Sequence, residues 1–166
     1  MEVLKKINDV LCMVLRAVGL VLVSLFTGIV MFQVIARNYI KISVPWTDEA
    51  SVIFFIWAVM VGSAVGVRKR LHYLVDIFPA SYVRVNALMD LFAGVLVFAI
   101  IVVLFWGGLI YFEMGFSRNF DSIIITMAWL FISLPVSAFC MILFTIENIL
   151  IDIGRVKKAF TNGGVQ

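Results

Sequence analysis

The sequence predicts an all-α integral membrane protein: four transmembrane helices, both termini on the cytoplasmic side, and an interfacial segment between the second and third helices. Three observations lead there. Of the 166 residues, 64% are hydrophobic and 14% charged, and the mean hydropathy is +1.14. A soluble domain is roughly half apolar and roughly a quarter charged, and so short a chain could not hide this much apolar side chain in one core in water. The charges are also clustered, which leaves four charge-free runs at residues 17–36, 50–67, 91–112 and 122–146. About 20 apolar residues cross a hydrocarbon core about 30 Å thick, and the slightly short second run can recruit Trp46 and Thr47. Lastly, basic residues gather in alternate hydrophilic segments. Lys5, Lys6 and Arg16 precede or open the first run. Arg68, Lys69, Arg70 and Arg84 lie between the second and third, and Arg155, Lys157 and Lys158 follow the fourth. The other two loops hold only Arg37, Lys41 and Arg118, so the positive-inside rule puts both ends and the middle loop in the cytoplasm. The pI of about 9.0 is then a topology signal and does not point to nucleic acid.

The expected organisation is one four-helix membrane domain, residues 1–166, with spans at about 14–36, 47–67, 88–112 and 123–149. A β-barrel does not fit, because barrel strands alternate apolar and polar residues, whereas residues 96–105 are apolar without alternation. The first run is too long for a signal-peptide core and no clean small-residue cleavage site follows it, so it is read as a retained helix.

The first helix is expected to end at Arg37-Asn38-Tyr39, where the charge and the phenol suit the headgroup layer. In Pro45-Trp46-Thr47-Asp48-Glu49, Thr47 is a candidate N-cap for the second helix. Asp48 and Glu49 are then in its first turn, where the helix dipole favours acids, and Trp46 lies in the interfacial aromatic belt. Ala58, Gly62 and Gly66 recur every four residues, with Ser63 alongside, a spacing that lets helix backbones approach closely in lipid. Residues 68–84 mix Leu71, Leu74, Val75, Ile77 and Phe78 with Arg68, Arg70, His72 and Asp76, as an interfacial segment does, and Pro79 turns or breaks it. The third helix carries Trp106 and the Gly107-Gly108 pair near its outer end. Pro135 is expected to kink the fourth helix, flanked by Ser133 and Ser137.

Chemistry is argued mainly by elimination. One histidine, His72, and two cysteines, Cys12 and Cys140, do not assemble a haem or zinc ligand set, and no nucleophile–base arrangement or phosphate-cradling glycine loop is present. No enzyme activity and no catalytic, cofactor or metal residue is assigned, and both cysteines read as buried inert thiols. Intramembrane ionisable groups mark ion pathways, yet the middles of all four runs contain none; Asp90 and Glu147 lie near cytoplasmic helix ends and Glu113 at an outer one. Nor is there a pair of broken glycine-rich hairpins to form a substrate site. Such a chain reads as a partner for another membrane protein.

The run Arg37-Asn38-Tyr39, then Val44-Pro45-Trp46-Thr47-Asp48-Glu49, resembles the small membrane subunit (DctQ-type) of tripartite ATP-independent periplasmic (TRAP) transporters. In that family an Arg-Tyr-like end of the first helix precedes a Pro-Trp-x-[Asp/Glu]-Glu approach to the second. Gly62-Ser63-Ala64, the run from Val67-Arg68-Lys69-Arg70 through Leu71-His72-Tyr73-Leu74-Val75-Asp76, and Met127-Ala128-Trp129 with Leu134-Pro135-Val136 are similar to its later elements, in order along nearly the whole chain. The resemblance implies a three-part uptake system in the bacterial inner membrane. A periplasmic substrate-binding protein captures an organic anion such as a C4-dicarboxylate or a sialic acid. A large sodium-coupled permease subunit carries it, and the small subunit is a rigid scaffold beside an elevator-type transport domain. On this reading Arg37, Trp46, Asp48, Glu49, Ala58, Gly62 and Gly66 are candidates for partner contact. His72 and Asp76, four apart, are candidates for fixing the middle loop, and Pro135 is the kink. Two other classes stay open: a self-sufficient homo-oligomeric small transporter, and a membrane anchor or assembly protein outside transport.

Overall fold

The computed structural model describes residues 2–70 and 83–161. Helix α1 spans Glu2–Ile35 and continues into a π-helical turn, Ala36–Ile40. Lys41 closes that turn in the left-handed region (φ 59°), and its N–H donates to the Ala36 carbonyl. Helix α2 is Trp46–Arg68, α3 is Val83–Gly115, α4 is the short Ala128–Phe131, and α5 is Ser133–Thr161. With α4 and α5 taken together, four helices are long and apolar enough to cross a membrane. The expected interfacial segment between α2 and α3 lies mostly outside the described residues, and His72 and Asp76 lie there with it.

The helices form a row, α1–α2–α5–α3, in place of a square bundle. α1 packs along α2, α2 against α5, and α5 against α3; among the described residues α2 and α3, consecutive in sequence, do not meet. α5 is therefore central. Its Ala138, Cys140, Met141 and Phe144 share one buried cluster with Cys12 of α1, Ala64 and Val67 of α2, and Ile101 of α3. A helix in the middle of a row buries two faces. That is why α5 hides polar residues at Ser133, Ser137, Thr145, Glu147, Asn148 and Asp152, whereas the most apolar 18-residue stretch of α1 contains no buried residue.

Pairing of α3 with α5 follows a strict seven-residue rule. The buried positions of α3 are Ala87, Gly94, Ile101, Gly108 and Gly115. A seven-residue recurrence keeps one seam toward a neighbour in a left-handed, coiled-coil-like pairing, and small residues on that seam allow close backbone approach. Contact is closest at the upper two. A Cβ on Gly108 would sit 3.0 Å from the Pro135 nitrogen, and one on Gly115 2.7 Å from the Ala128 backbone. On α2 the residues turned into the protein are Val61, Ala64, Gly66 and Val67, and Gly19 of α1 lies against Val61.

Two expected boundaries shift. Thr47 is not the N-cap of the second helix: the helix begins one residue earlier, Pro45 occupies the cap position, and the buried Thr47 hydroxyl donates to the Val44 carbonyl at 2.6 Å. Proline at the cap leaves no side-chain acceptor for the first N–H groups. The last helix starts at Ala128, not near 123, because residues 119–126 form a loop closed by an isolated bridge between Asn119 and Thr126. The helical path then breaks at Ile132, three residues before Pro135, which has no N–H to give. Freed carbonyls there are met by side chains. Ser133 Oγ donates to Leu130 O (2.7 Å), and Trp57 Nε1 of α2 donates to Trp129 O (2.9 Å). The buried Ser137 hydroxyl finds no hydrogen-bond partner among the described residues.

Candidate functional site

Ionic side chains collect at the two ends of the row; its middle holds hydroxyls but no charge. Apolar helix faces slide past one another in lipid at little cost, since lipid tails are as apolar as they are. Register therefore has to come from close packing and from polar pairs, and both ends supply such pairs.

At the end that carries the start of α1 and the end of α5, two arginines at the close of α2 clamp its neighbours. Arg68 reaches Asp9 of α1 (2.7 Å) and Glu147 of α5 (2.8 Å), and its guanidinium lies 5.9 Å from the Phe144 ring centroid. Asn8, fully buried, donates to the same Glu147 carboxylate at 2.5 Å and to Leu143 O at 3.3 Å. Arg70 sits in the left-handed region (φ 56°), and its guanidinium meets Asp152 Oδ1 (2.7 Å) and Asn148 O (2.9 Å). Asn148 Nδ2 in turn donates to Val67 O (3.2 Å), a carbonyl at the end of α2 that also accepts the Arg70 N–H (3.1 Å). Arg155 bridges Asp152 and Asp90 of α3 at 4.0 and 3.9 Å. Buried carboxylates persist in a protein when they are paired and hydrogen-bonded, and Glu147 meets both conditions. Among the described residues Asp152 is paired through Oδ1 alone; its buried Oδ2 finds no partner there and lies beside Gly94, whose missing Cβ would be 3.8 Å away.

At the other end, Glu49 anchors the loop before α4. Its carboxylate accepts hydrogen bonds from three successive backbone N–H groups, those of Asp121, Ser122 and Ile123, at 2.9 to 3.0 Å. Successive N–H groups turned to one point make an anion-binding concavity, here filled by the protein's own glutamate. The loop is cross-braced by Phe120 N–H to Ile125 O (3.1 Å) and Met127 N–H to Arg118 O (2.8 Å), and it leaves Ile124 fully exposed. Gln33 of α1 donates to Asp48, and Phe32 stacks on Trp46 at 6.4 Å, so the outer end of α1 is also tied to α2.

The residues singled out from sequence thus separate. Asp48 and Glu49 are used within the chain, Asp48 exposed and Glu49 half-buried. Arg37 is exposed on the π-turn, and Trp46 is stacked yet 45% exposed. Of the small residues, Gly66 is buried, Ala58 half-buried, and Gly62 exposed with nothing within 4 Å of where its Cβ would be. Pro135 is buried against Gly108. Cys12 and Cys140 are free and buried, and among the described residues no three His, Cys, Asp or Glu side chains come together as a metal site. The clamp partners Asn8, Asn148 and Asp152 escape a sequence reading that sorts charges by side of the membrane. The signal available is the pairing of two closely spaced arginines, 68 and 70, with two closely spaced acids, 147 and 152.

A family model described as tripartite ATP-independent periplasmic transporters, DctQ component, matches residues 26–155. The match takes in the Glu49 anchor and both clamp arginines with their α5 partners, and leaves Asn8 and Asp9 outside. No curated protein matches the chain.

Proposed function

The chain belongs to the DctQ component family of tripartite ATP-independent periplasmic transporters, a multi-pass inner-membrane component of a transporter and not of an enzyme family, and from that premise we propose that it is the static scaffold subunit of its system. In this reading it holds a large sodium-coupled permease subunit in the membrane. It works with a periplasmic substrate-binding protein in the uptake of an organic anion, a C4-dicarboxylate, a sialic acid or another carboxylate. Both termini, with the arginine clamp, face the cytoplasm, and the Glu49-anchored loop faces the periplasm.

The observation that supports a scaffold most is the placement of charge. A subunit that carries an ion or a charged solute needs groups at membrane depth to meet it. Here the ionic pairs fasten helix ends to one another, and the charge-free runs between hold no Asp, Glu, Lys, Arg or His. Such an arrangement fixes helix register and offers no relay. A neighbour that moves vertically needs a wall that does not, and a row of helices tied at both ends provides one.

The experiment is co-purification. The tagged chain, expressed with the large permease subunit of its own transporter, should recover that subunit in a stable complex from detergent-solubilised membranes. Purification of the chain without it, under conditions that preserve the large subunit, would reject the scaffold reading. Chain alone in liposomes should give no solute flux; flux without a partner would favour a self-sufficient transporter.

A further inference from the structure

α1 is an edge of the row, and its two sides differ. Toward α2 it presents Gly19 against Val61 and Phe26 against Phe55, whose ring centroids are 5.4 Å apart. Arg16, Leu20, Ser24, Thr27, Gly28 and Met31 fall on one helical face at spacings of three, four and their sums. All six are exposed, Leu20 at 70% and Met31 at 64%, and no atom comes within 4 Å of where a Cβ on Gly28 would be. The Ser24 and Thr27 hydroxyls fold onto their own helix, donating to Leu20 O (2.8 Å) and Val23 O (2.9 Å), which leaves a low-relief surface.

α3 is the opposite edge and serves as an internal standard for a face turned to lipid. Its outward face is mostly bulky and apolar, with Val95, Leu96, Ile100, Val103, Trp106 and Ile110 at 49% to 72% exposure and only Ala99 small among the exposed residues between them. Lipid-facing helix surfaces are bulky and apolar, whereas helix–helix contacts in membranes favour glycine, serine and threonine. By that contrast within one molecule, α1 is made for a protein neighbour. Charge agrees. Arg16 lies seven positions inward from Asp9, about 10.5 Å along the helix axis. The carboxylates of the clamp pair with Arg68, Arg70 and Arg155, and among the described residues none pairs with Arg16. At the edge of the hydrocarbon region a guanidinium must snorkel to the headgroups unless a facing carboxylate pairs with it.

Resting on the subunit reading above, we propose that the outward face of α1 over residues 16–31 receives a membrane-embedded helix of the large permease subunit that carries a carboxylate opposite Arg16, while the outward face of α3 meets lipid. Two glycines give a matched test. Gly28 on α1 and Gly107 on α3 both have open space at the Cβ position, so a side chain begins at either without meeting this chain, and the melting temperature of each leucine variant checks that its fold is kept. The full chain, co-expressed with the epitope-tagged large subunit of the same transporter, is captured and the large subunit quantified. Gly28→Leu should lower recovery at least about tenfold, the ratio expected when contact at a packed helix crossing is lost, and Gly107→Leu should leave it within about twofold. Arg16→Gln should lower recovery and Arg16→Lys should restore most of it.

Wild-type recovery with Gly28→Leu, or an equal loss with Gly107→Leu, overturns the face assignment. So does an Arg16→Gln chain that keeps the large subunit but sheds bound phospholipid in native mass spectrometry, which would make lipid the occupant. A wild-type chain that recovers no large subunit overturns the subunit reading itself, and the two failures are thereby distinguished.

Discussion

The guanidinium of Arg68 lies 2.8 Å from the carboxylate of Glu147, joining the last residue of α2 to a buried position on α5. Asp9 and Asn8 of α1 converge on the same pair, so one ionic centre fixes the register of three helices. Both side chains of the central pair are largely removed from solvent, at 13% and 5% exposure. Breaking it leaves a charge buried and uncompensated.

Arg68→Ala should therefore destabilise the detergent-solubilised chain by about 3–5 kcal/mol in thermal or denaturant unfolding. Arg68→Lys should recover part of the loss, since a single ammonium cannot fork between Asp9 and Glu147 as the guanidinium does. A double-mutant cycle on Arg68 and Glu147 should show coupling; additivity would remove the clamp as a stabilising unit.

Glu49→Ala removes the acceptor for three backbone N–H groups. Hydrogen bonds to a charged group contribute about 1.5–3 kcal/mol, and a loss of about 1.4 kcal/mol opens an amide tenfold more often. Hydrogen exchange at Asp121, Ser122 and Ile123 should thus quicken at least about tenfold, with the helices unchanged. Glu49→Gln should fall between, because an amide offers one oxygen and adds donors of its own.

Glycines 108 and 115 should tolerate nothing larger. Gly115→Ala sets a Cβ 2.7 Å from the Ala128 backbone and Gly108→Ala one 3.0 Å from Pro135, so each should cost about 1–3 kcal/mol as α3 is pushed off its seam. Gly107→Ala, next to Gly108 but facing open space, should be neutral or stabilising by up to about 1 kcal/mol. Melting temperatures in that order check the seam; equal losses at 107 and 108 would contradict it.

The four helices are legible in the sequence because lipid imposes length and apolarity on each span separately. Neighbours are not legible that way. The small residues Ala58, Gly62 and Gly66 draw attention to α2, yet the closest packing falls on α3, where glycines recur at seven instead of four. That period, 87-94-101-108-115, is present in the sequence; it is masked by the Gly107-Gly108 pair, which shows glycine without showing which of the two faces inward. The clamp is hidden for another reason. Charges near a membrane surface satisfy the positive-inside pattern whether paired or not, so only the folded positions show that Glu147 and Asp152 are buried partners of Arg68 and Arg70. Asp48 and Glu49 are correctly drawn to the first turn of α2, but their bonds to Gln33 and to the loop depend on contacts remote in sequence.

Trp57→Phe should loosen the break in the last helix. The indole N–H that meets Trp129 O is lost, at a cost of about 0.5–1.5 kcal/mol. Trp106→Phe, on the exposed face of α3, should change thermal stability far less.

The scaffold role is tested most directly by sodium-driven uptake in proteoliposomes, with labelled C4-dicarboxylate and sialic acid offered through the cognate binding protein. Uptake should require both the large subunit and this chain, and the chain alone should give none. Undiminished uptake by the large subunit without the chain, or flux through the chain alone, would contradict it.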